Sequence, residues 1–189
     1  METTINRLLP LASAAPWITE TCCLPCSDKV LSWLLDQHSL TQKLQASAQY
    51  FQVKVKQQLM LSNSEYSLSR FFIKENKVLV REVFLCCDNQ PVVFAQTEIP
   101  FSTLTEQQAN LANIGTGSLG SILFQDPSLQ RDQIEVAQFP VSSAVHQLCK
   151  SLQQDADYPL WGRRSLFYIN NKPLLVSEVF LPASGIYLT

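Results

Sequence analysis

The chain has 189 residues, of which 46% are hydrophobic and 16% charged, with a formal net charge of −2 and a pI near 5.7. That length suits one domain with a substantial core, and the composition is that of a globular protein, not a disordered one. There is no basic footprint for nucleic acid, and apolar runs such as 92–95 and 173–176 fall far short of the roughly 20 residues that span a bilayer.

Residues 1–27 read as an N-terminal arm, ahead of a domain over 28–189. The stretch Leu8 to Ala15 superficially resembles a signal peptide, but its single Arg7 is balanced by Glu2 and Pro10 interrupts it, so a cytoplasmic location is expected. Cys23-Leu24-Pro25-Cys26 has the spacing of a zinc half-site or a redox pair. No second half-site follows: Cys86 and Cys87 are adjacent, a poor chelating arrangement, and Cys149 stands apart. Reduced thiols acting as small apolar residues are the expectation for all six cysteines.

Ser27 or Asp28 can cap a helix whose Val30, Leu31, Leu34 and Leu35 fall at helical spacing. Ser39-Leu40-Thr41-Gln42 is a capping box that restarts it, with Leu40, Leu44 and Ala48 on one face. From Phe51 the period becomes two, with Phe51, Val53 and Val55 alternating with Gln52, Lys54 and Lys56, as in a half-buried strand. Two similar hairpins are expected. One runs from Phe72-Ile73 through the turn 74–77 into 78–85; the other runs from Phe167-Tyr168-Ile169 through the turn 170–172 into 174–181. The return strands agree at six of eight positions.

Pro91 to Ile99 reads as a further strand, joined to the first hairpin through Asp88-Asn89-Gln90-Pro91. Thr103 to Glu106 is a second capping box, opening a helix that Gly115 can close. A glycine-dense loop at 115–120 leads into a helix over 118–124. Asp132 to Ala137 reads as a strand, and 139–158 as a helical insertion. The sum is a single α+β domain: a five- to six-stranded antiparallel sheet with helices against it.

Strand alternation isolates two anomalies. Glu178 shares a face with Leu174, Val176 and Phe180; Arg81 shares one with Leu79, Val83 and Leu85. A charge on an apolar face must be neutralised, paired or liganded. A guanidinium stays charged and suits bidentate recognition of a carboxylate. Glu82 is an equal anomaly, read here as structural: an ion pair, or a side chain on an outward face at the edge of the sheet. Periodicity leaves open which face meets the core. The 115–120 loop lacks the Walker lysine and dinucleotide spacing but could offer backbone N–H groups to an anion. His38 and His146 stand alone, and serine-nucleophile and zinc-hydrolase signatures are absent.

The ordered set of motifs resembles the chorismate pyruvate-lyase family. The pieces include Ser39-Leu40-Thr41, Leu79 to Cys86, Gln90-Pro91, Ala95-Gln96-Thr97 and Leu119-Gly120. At the C-terminal end they are Leu160-Trp161-Gly162-Arg163-Arg164-Ser165, Lys172 to Leu175 and Glu178 to Ser184. The resemblance covers about residues 30–187 and implies an antiparallel sheet with flap segments enclosing a buried ligand. It implies a lyase converting chorismate to 4-hydroxybenzoate and pyruvate for ubiquinone synthesis, monomeric and without a cofactor or metal. Carried over by motif, Arg81 binds a substrate carboxylate, helped by the backbone N–H groups of Leu40 and Leu119, and Glu178 meets the ring hydroxyl. Burial among apolar neighbours would raise the Glu178 pKa if it acts as a base. Two departures stand out: the loop at 116–118 lacks a basic residue and a proline, and the 139–158 insertion is long. The alternative reading is a non-catalytic small-ligand module, as in effector domains of bacterial transcription regulators. The short, non-basic stretch before Asp28 argues against it.

Overall fold

Two tight turns set the frame of the sheet. Asp88 and Asn89 take φ of 50° and 68°, and Asn170 and Asn171 take 50° and 63°. Two-residue hairpin loops of type I′ need positive φ at both positions, and Asn and Asp tolerate it better than other residues with a side chain. The computed structural model describes residues 8–9, 11–19, 24–62, 71–72 and 74–188. Among them the strands are β1 (Phe51–Ser62), β2 (Lys77–Cys87), β3 (Gln90–Pro100), β4 (Gln130–Arg131), β5 (Glu135–Phe139), β6 (Leu160–Ile169) and β7 (Lys172–Phe180). They form one antiparallel sheet in the order β1-β2-β3-β7-β6-β4, with β5 also on β6. The fold is α+β as expected, with seven strands in place of five or six; β4 has only two residues and leaves little trace in a period-two pattern.

The first expected hairpin is drawn differently. β2 pairs with β1 on one side and β3 on the other, and its hairpin partner is β3, through Asp88-Asn89. Phe72 lies in a turn, 2% exposed, and packs against Val78, Val80, Leu166 and Leu175. It is apolar because it plugs the core, which a pattern reading cannot tell from a strand residue. Ile73 lies outside the described residues.

The two similar strings, 78–85 and 174–181, flank β3. Glu82 pairs with Gln96, whereas Glu178 pairs with Ala95. That offset of one residue sends equivalent side chains of the two strings to opposite faces of the sheet. A bulge at Lys56 in β1 has a similar effect: Val55 opposes Val83, and beyond the bulge Gln57 opposes Glu82 and Gln58 opposes Arg81.

One face of the sheet carries α2 (Asp28–Leu34), α3 (Leu40–Ser47), a 3-10 helix (Glu106–Asn113) and α4 (Leu119–Leu123). Ser27 and Ser39 cap α2 and α3 through their hydroxyls, as expected. The second capping box does not form. Thr103 donates its hydroxyl to the Pro173 carbonyl, 2.7 Å away, and the segment after it winds as a 3-10 helix. Gly115, at φ 60°, ends it.

The other face carries α1 (Leu11–Ala14) and α5 (Ala144–Ser151). The arm is part of the fold there: Leu11 is fully buried, the Trp17 indole donates to the Leu11 carbonyl, and Ile18 bridges to Val136. Each fully buried Leu, Val or Phe in these layers contributes roughly 1.5–3 kcal/mol.

Candidate active site

Arg81 and Glu178 face the same chamber. It lies between the sheet and the helices of the first face and encloses about 480 Å³ including its mouth. β2 supplies Arg81, Val83 and Leu85 to its floor, β3 supplies Ala95 and Thr97, and β7 supplies Val176 and Glu178. Phe167 closes one side, Val53 another, and Gly117 to Gly120 with Leu123 form the roof. A mostly apolar chamber of this size with a few convergent polar groups suits a small ligand. A polar groove lined by Gln45, Gln52, Thr116 and Ser121 adjoins it, sharing Val53 and Ser118.

Arg81 is 3% exposed. Its Nη1 donates to Gln58 Oε1 at 3.0 Å, and Nη2 donates to the carbonyls of Gly115 and Gly117 at 2.8 and 3.3 Å. The bulge at Lys56 is what turns Gln58 toward it. Among the described residues Arg81 makes no ion pair. Burial pulls its pKa below the usual arginine value, yet a guanidinium keeps its charge. The chamber therefore holds a cation whose protein partners are all neutral.

Glu178 differs from the expectation of a carboxylate among apolar neighbours only. Arg163 stands directly opposite it on β6, and Arg163 Nε donates to Glu178 Oε2 at 2.7 Å. Arg163 is 2% exposed and also donates through Nη1 to the carbonyls of Trp33, in the last turn of α2, and Asp36, just past its end. The acid is thus fixed in place by a cation that is itself fixed by a helix terminus.

Leu119 opens α4 in the roof, behind its cap Ser118. Leu40 is the first residue of α3, and its side chain packs into the core beside Leu34 and Leu44. It is not among the residues lining the chamber. α3 nevertheless reaches the roof through Thr41, whose hydroxyl lies 2.8 Å from that of Ser118. Gly120 is tight against the same threonine: a Cβ there would sit 2.8 Å from Thr41 Oγ1.

Glu82 points to the opposite face and is fully buried, paired with Lys56 Nζ at 2.6 Å. It also accepts from the Leu9 N–H, Gln57 and Gln96. The structural reading of Glu82 agrees with this geometry. Cys26, Cys86, Cys87 and Cys149 are free thiols, and burial raises their pKa values, that of Cys149 to about 12. Cys22 and Cys23 lie outside the described residues, as does that half of the Cys23 to Cys26 pair.

The sequence reading missed the partners of its own residues. Gln58, Ser118 and Arg163 each fix a group in the chamber wall. Arg163 had a visible signal: two adjacent arginines in a strand that is otherwise apolar point to opposite faces, and each needs an acid. Arg163 meets Glu178, and Arg164 Nε meets Glu135 at 2.6 Å.

The family model described as chorismate lyase matches residues 11–189. A probable chorismate pyruvate-lyase of Psychromonas ingrahamii is 70% identical over 181 residues, covering 96% of this chain and 97% of that one. One from Pseudoalteromonas translucida is 38% identical over 183 residues, covering 94% and 98%. Among solved structures, the C-terminal domain of the histidine utilization repressor of Pseudomonas syringae aligns with a TM-score of 0.54 at 14% identity. That alignment covers 71% of this chain and 94% of the domain. PhnF of Mycobacterium smegmatis aligns at 0.55 and 14%, covering 79% and 66%. The repressor likenesses concern the fold alone. The sequence match runs nearly end to end, and the chain belongs to the chorismate lyase family.

Proposed function

We propose that this protein is a chorismate pyruvate-lyase, converting chorismate to 4-hydroxybenzoate and pyruvate, with Arg81 and Glu178 holding the substrate. One observation carries the assignment of residues: a buried guanidinium with no ion pair among the described residues and a fixed carboxylate face one mostly apolar chamber. Arg81 takes the ring carboxylate, with the backbone N–H groups of Leu119 and Leu40 beside it at the starts of α4 and α3. Glu178 accepts from the ring hydroxyl through Oε1, since Oε2 already engages Arg163.

The reaction breaks the ether C–O bond and removes the hydrogen on the hydroxyl-bearing carbon, and the ring becomes aromatic. Aromatisation drives it, so the enzyme contributes positioning and electrostatics. With Oε2 engaged by Arg163 and Oε1 by the ring hydroxyl, neither oxygen of Glu178 is left to take a hydrogen from carbon. That favours transfer of the proton to the methylene carbon of the departing enolpyruvyl group, which leaves as pyruvate. Substrate deuterated at the hydroxyl-bearing carbon then yields pyruvate carrying the label in its methyl group; unlabelled pyruvate in ordinary water assigns the proton to Glu178.

The wider reading is a monomeric, cofactor-free enzyme of the bacterial cytoplasm that feeds ubiquinone synthesis, as the family resemblance implies. Among the described residues no helix is long and apolar enough to cross a membrane. The deciding assay is pure protein with chorismate and no added metal, followed for 4-hydroxybenzoate. Charge-assisted hydrogen bonds contribute about 1.5–3 kcal/mol each. Arg81→Ala therefore raises KM about 10- to 100-fold, while Glu178→Ala mainly lowers kcat. Unchanged kinetics in both variants refute the assignment.

A further inference from the structure

Chorismate carries two carboxylates, and Arg81 accounts for one. The other belongs to the enolpyruvyl group, on the ring carbon next to the one bearing the hydroxyl. With the hydroxyl on Glu178, that second carboxylate lies at the Glu178 end of the chamber.

The charged groups at that end do not cancel. Asp36 is engaged by Lys43 Nζ at 2.7 Å and by His38 Nδ1 at 2.9 Å. Glu178 is engaged by Arg163. Arg131 remains. It sits on β4 opposite Phe167, on the chamber face of the sheet, with its guanidinium 5.1 Å from the centre of the Phe167 ring that lines the chamber. Its Nε donates to Ser165 Oγ at 2.9 Å, and Nη1 donates to the carbonyls of Asp36 and Gln37 at 3.3 and 3.2 Å. Among the described residues its Nη2 has no hydrogen-bond partner and Arg131 makes no ion pair. Three cations, Lys43, Arg131 and Arg163, thus face two anions, Asp36 and Glu178, and the surplus positive charge falls on the arginine with a free donor. Neutral carbonyls and a hydroxyl hold that guanidinium rigid, which suits a site built for an incoming anion.

We propose that Arg131 binds the enolpyruvyl carboxylate, so that the chamber grips a dicarboxylate at both ends and selects it over monocarboxylates. Burial, followed by the nearby Arg163, lowers the Arg131 pKa to about 10, which leaves it cationic at neutral pH. This carboxylate departs with pyruvate. Arg131 therefore contributes to binding of substrate but not of 4-hydroxybenzoate, which also eases release of the aromatic product.

The proposal rests on the lyase reading, and the test separates the two. In Arg131→Gln, KM for chorismate rises at least about tenfold, the worth of one charge-assisted contact. The inhibition constant of 4-hydroxybenzoate stays within about twofold, and kcat stays close to wild type because the contact is uniform through the reaction. An unchanged KM, or a parallel loss of affinity for 4-hydroxybenzoate, overturns the proposal. The wild-type protein gives a measurement independent of any variant's folding: 3-(carboxymethoxy)-4-hydroxybenzoate competes at least about tenfold better than 3-ethoxy-4-hydroxybenzoate. Equal or weaker competition by the dicarboxylate also overturns it. Wild-type protein that does not turn over chorismate sinks the lyase reading itself, whereas an active variant with unchanged KM sinks only the role of Arg131.

Discussion

The hydroxyls of Thr41 and Ser118 meet at 2.8 Å and join the first turn of α3 to the cap of α4 across the roof of the chamber. Both flaps are short helices with capped N-termini, and this hydrogen bond is a side-chain link between them. Ser118 also caps its own helix through the Ser121 N–H, whereas Thr41 is free of that duty. Thr41→Val keeps the shape and removes the link, a net loss of about 1 kcal/mol. The expected outcome is release of 4-hydroxybenzoate roughly fivefold faster, with Tm lower by about 3 °C. Stopped-flow dissociation measures it, and an unaltered off-rate shows that the roof does not open there.

Arg163 holds Glu178 and is held by carbonyls at the C-terminal end of α2, so its removal has two consequences. Arg163→Met leaves a largely buried carboxylate without a counter-charge, which costs about 3 kcal/mol, or roughly a 10 °C drop in Tm for a chain of this size. It also frees Glu178 to leave its position, so kcat falls more than KM rises. Calorimetry and steady-state kinetics read the two effects separately. A stable Arg163→Met variant with normal kcat would falsify the positioning role.

Gly162 marks a close approach of β6 to the backbone of Glu178. A Cβ there would lie 2.9 Å from the Glu178 carbonyl oxygen, 2.9 Å from a Phe139 ring carbon and 3.2 Å from Val179 Cγ2. Two of these neighbours are strand backbone and a packed ring with little room to yield. Gly162→Ala is expected to destabilise the fold by about 1–3 kcal/mol and to lower kcat by shifting Glu178. Denaturant unfolding gives the first number.

His146 on α5 is 1% exposed, and among the described residues its buried Nε2 has no hydrogen-bond partner. Burial pushes its pKa below the ordinary histidine value, against a smaller opposing effect from the Phe139 carbonyl. The unfolded chain therefore binds a proton more readily than the folded one. Stability is full above the unfolded pKa of about 6.5 and is lost as pH falls from there toward the folded value. His146→Gln removes the titration, so the decline in Tm as pH falls below about 6.5 becomes shallower than in wild type. Parallel curves for both proteins would exclude His146 as the source.

Much of the site was legible because it rests on local rules. Ser27 and Ser39 cap their helices through hydrogen bonds three residues long, and such bonds leave a sequence mark. Alternation within β2 and β7 placed Arg81 and Glu178 on faces shared with apolar neighbours, and those faces do line one chamber. What stayed hidden depends on pairing between distant segments. Arg163 meets Glu178 only through the β6–β7 register. Gln58 reaches Arg81 only because Lys56 bulges, and a bulge leaves no compositional trace. Thr103 read as a helix cap because its partner, the Pro173 carbonyl, lies 70 residues away.

The offset between the two look-alike strings has a consequence for how the sheet assembles. Either string presents nearly the same oily sequence to β3, so hydrophobic content alone does not decide which one docks where, or in which alignment. The ionised side chains do: a slip of one residue would strand Glu178 behind the sheet, away from Arg163, and push Glu82 into the chamber, away from Lys56. The buried charges thus act as a proofreading code for strand docking. A double variant that replaces Arg163 and Glu178 with apolar residues of similar bulk should keep much of its thermal stability yet refold in several phases, as chains trapped in the shifted alignment sort themselves out.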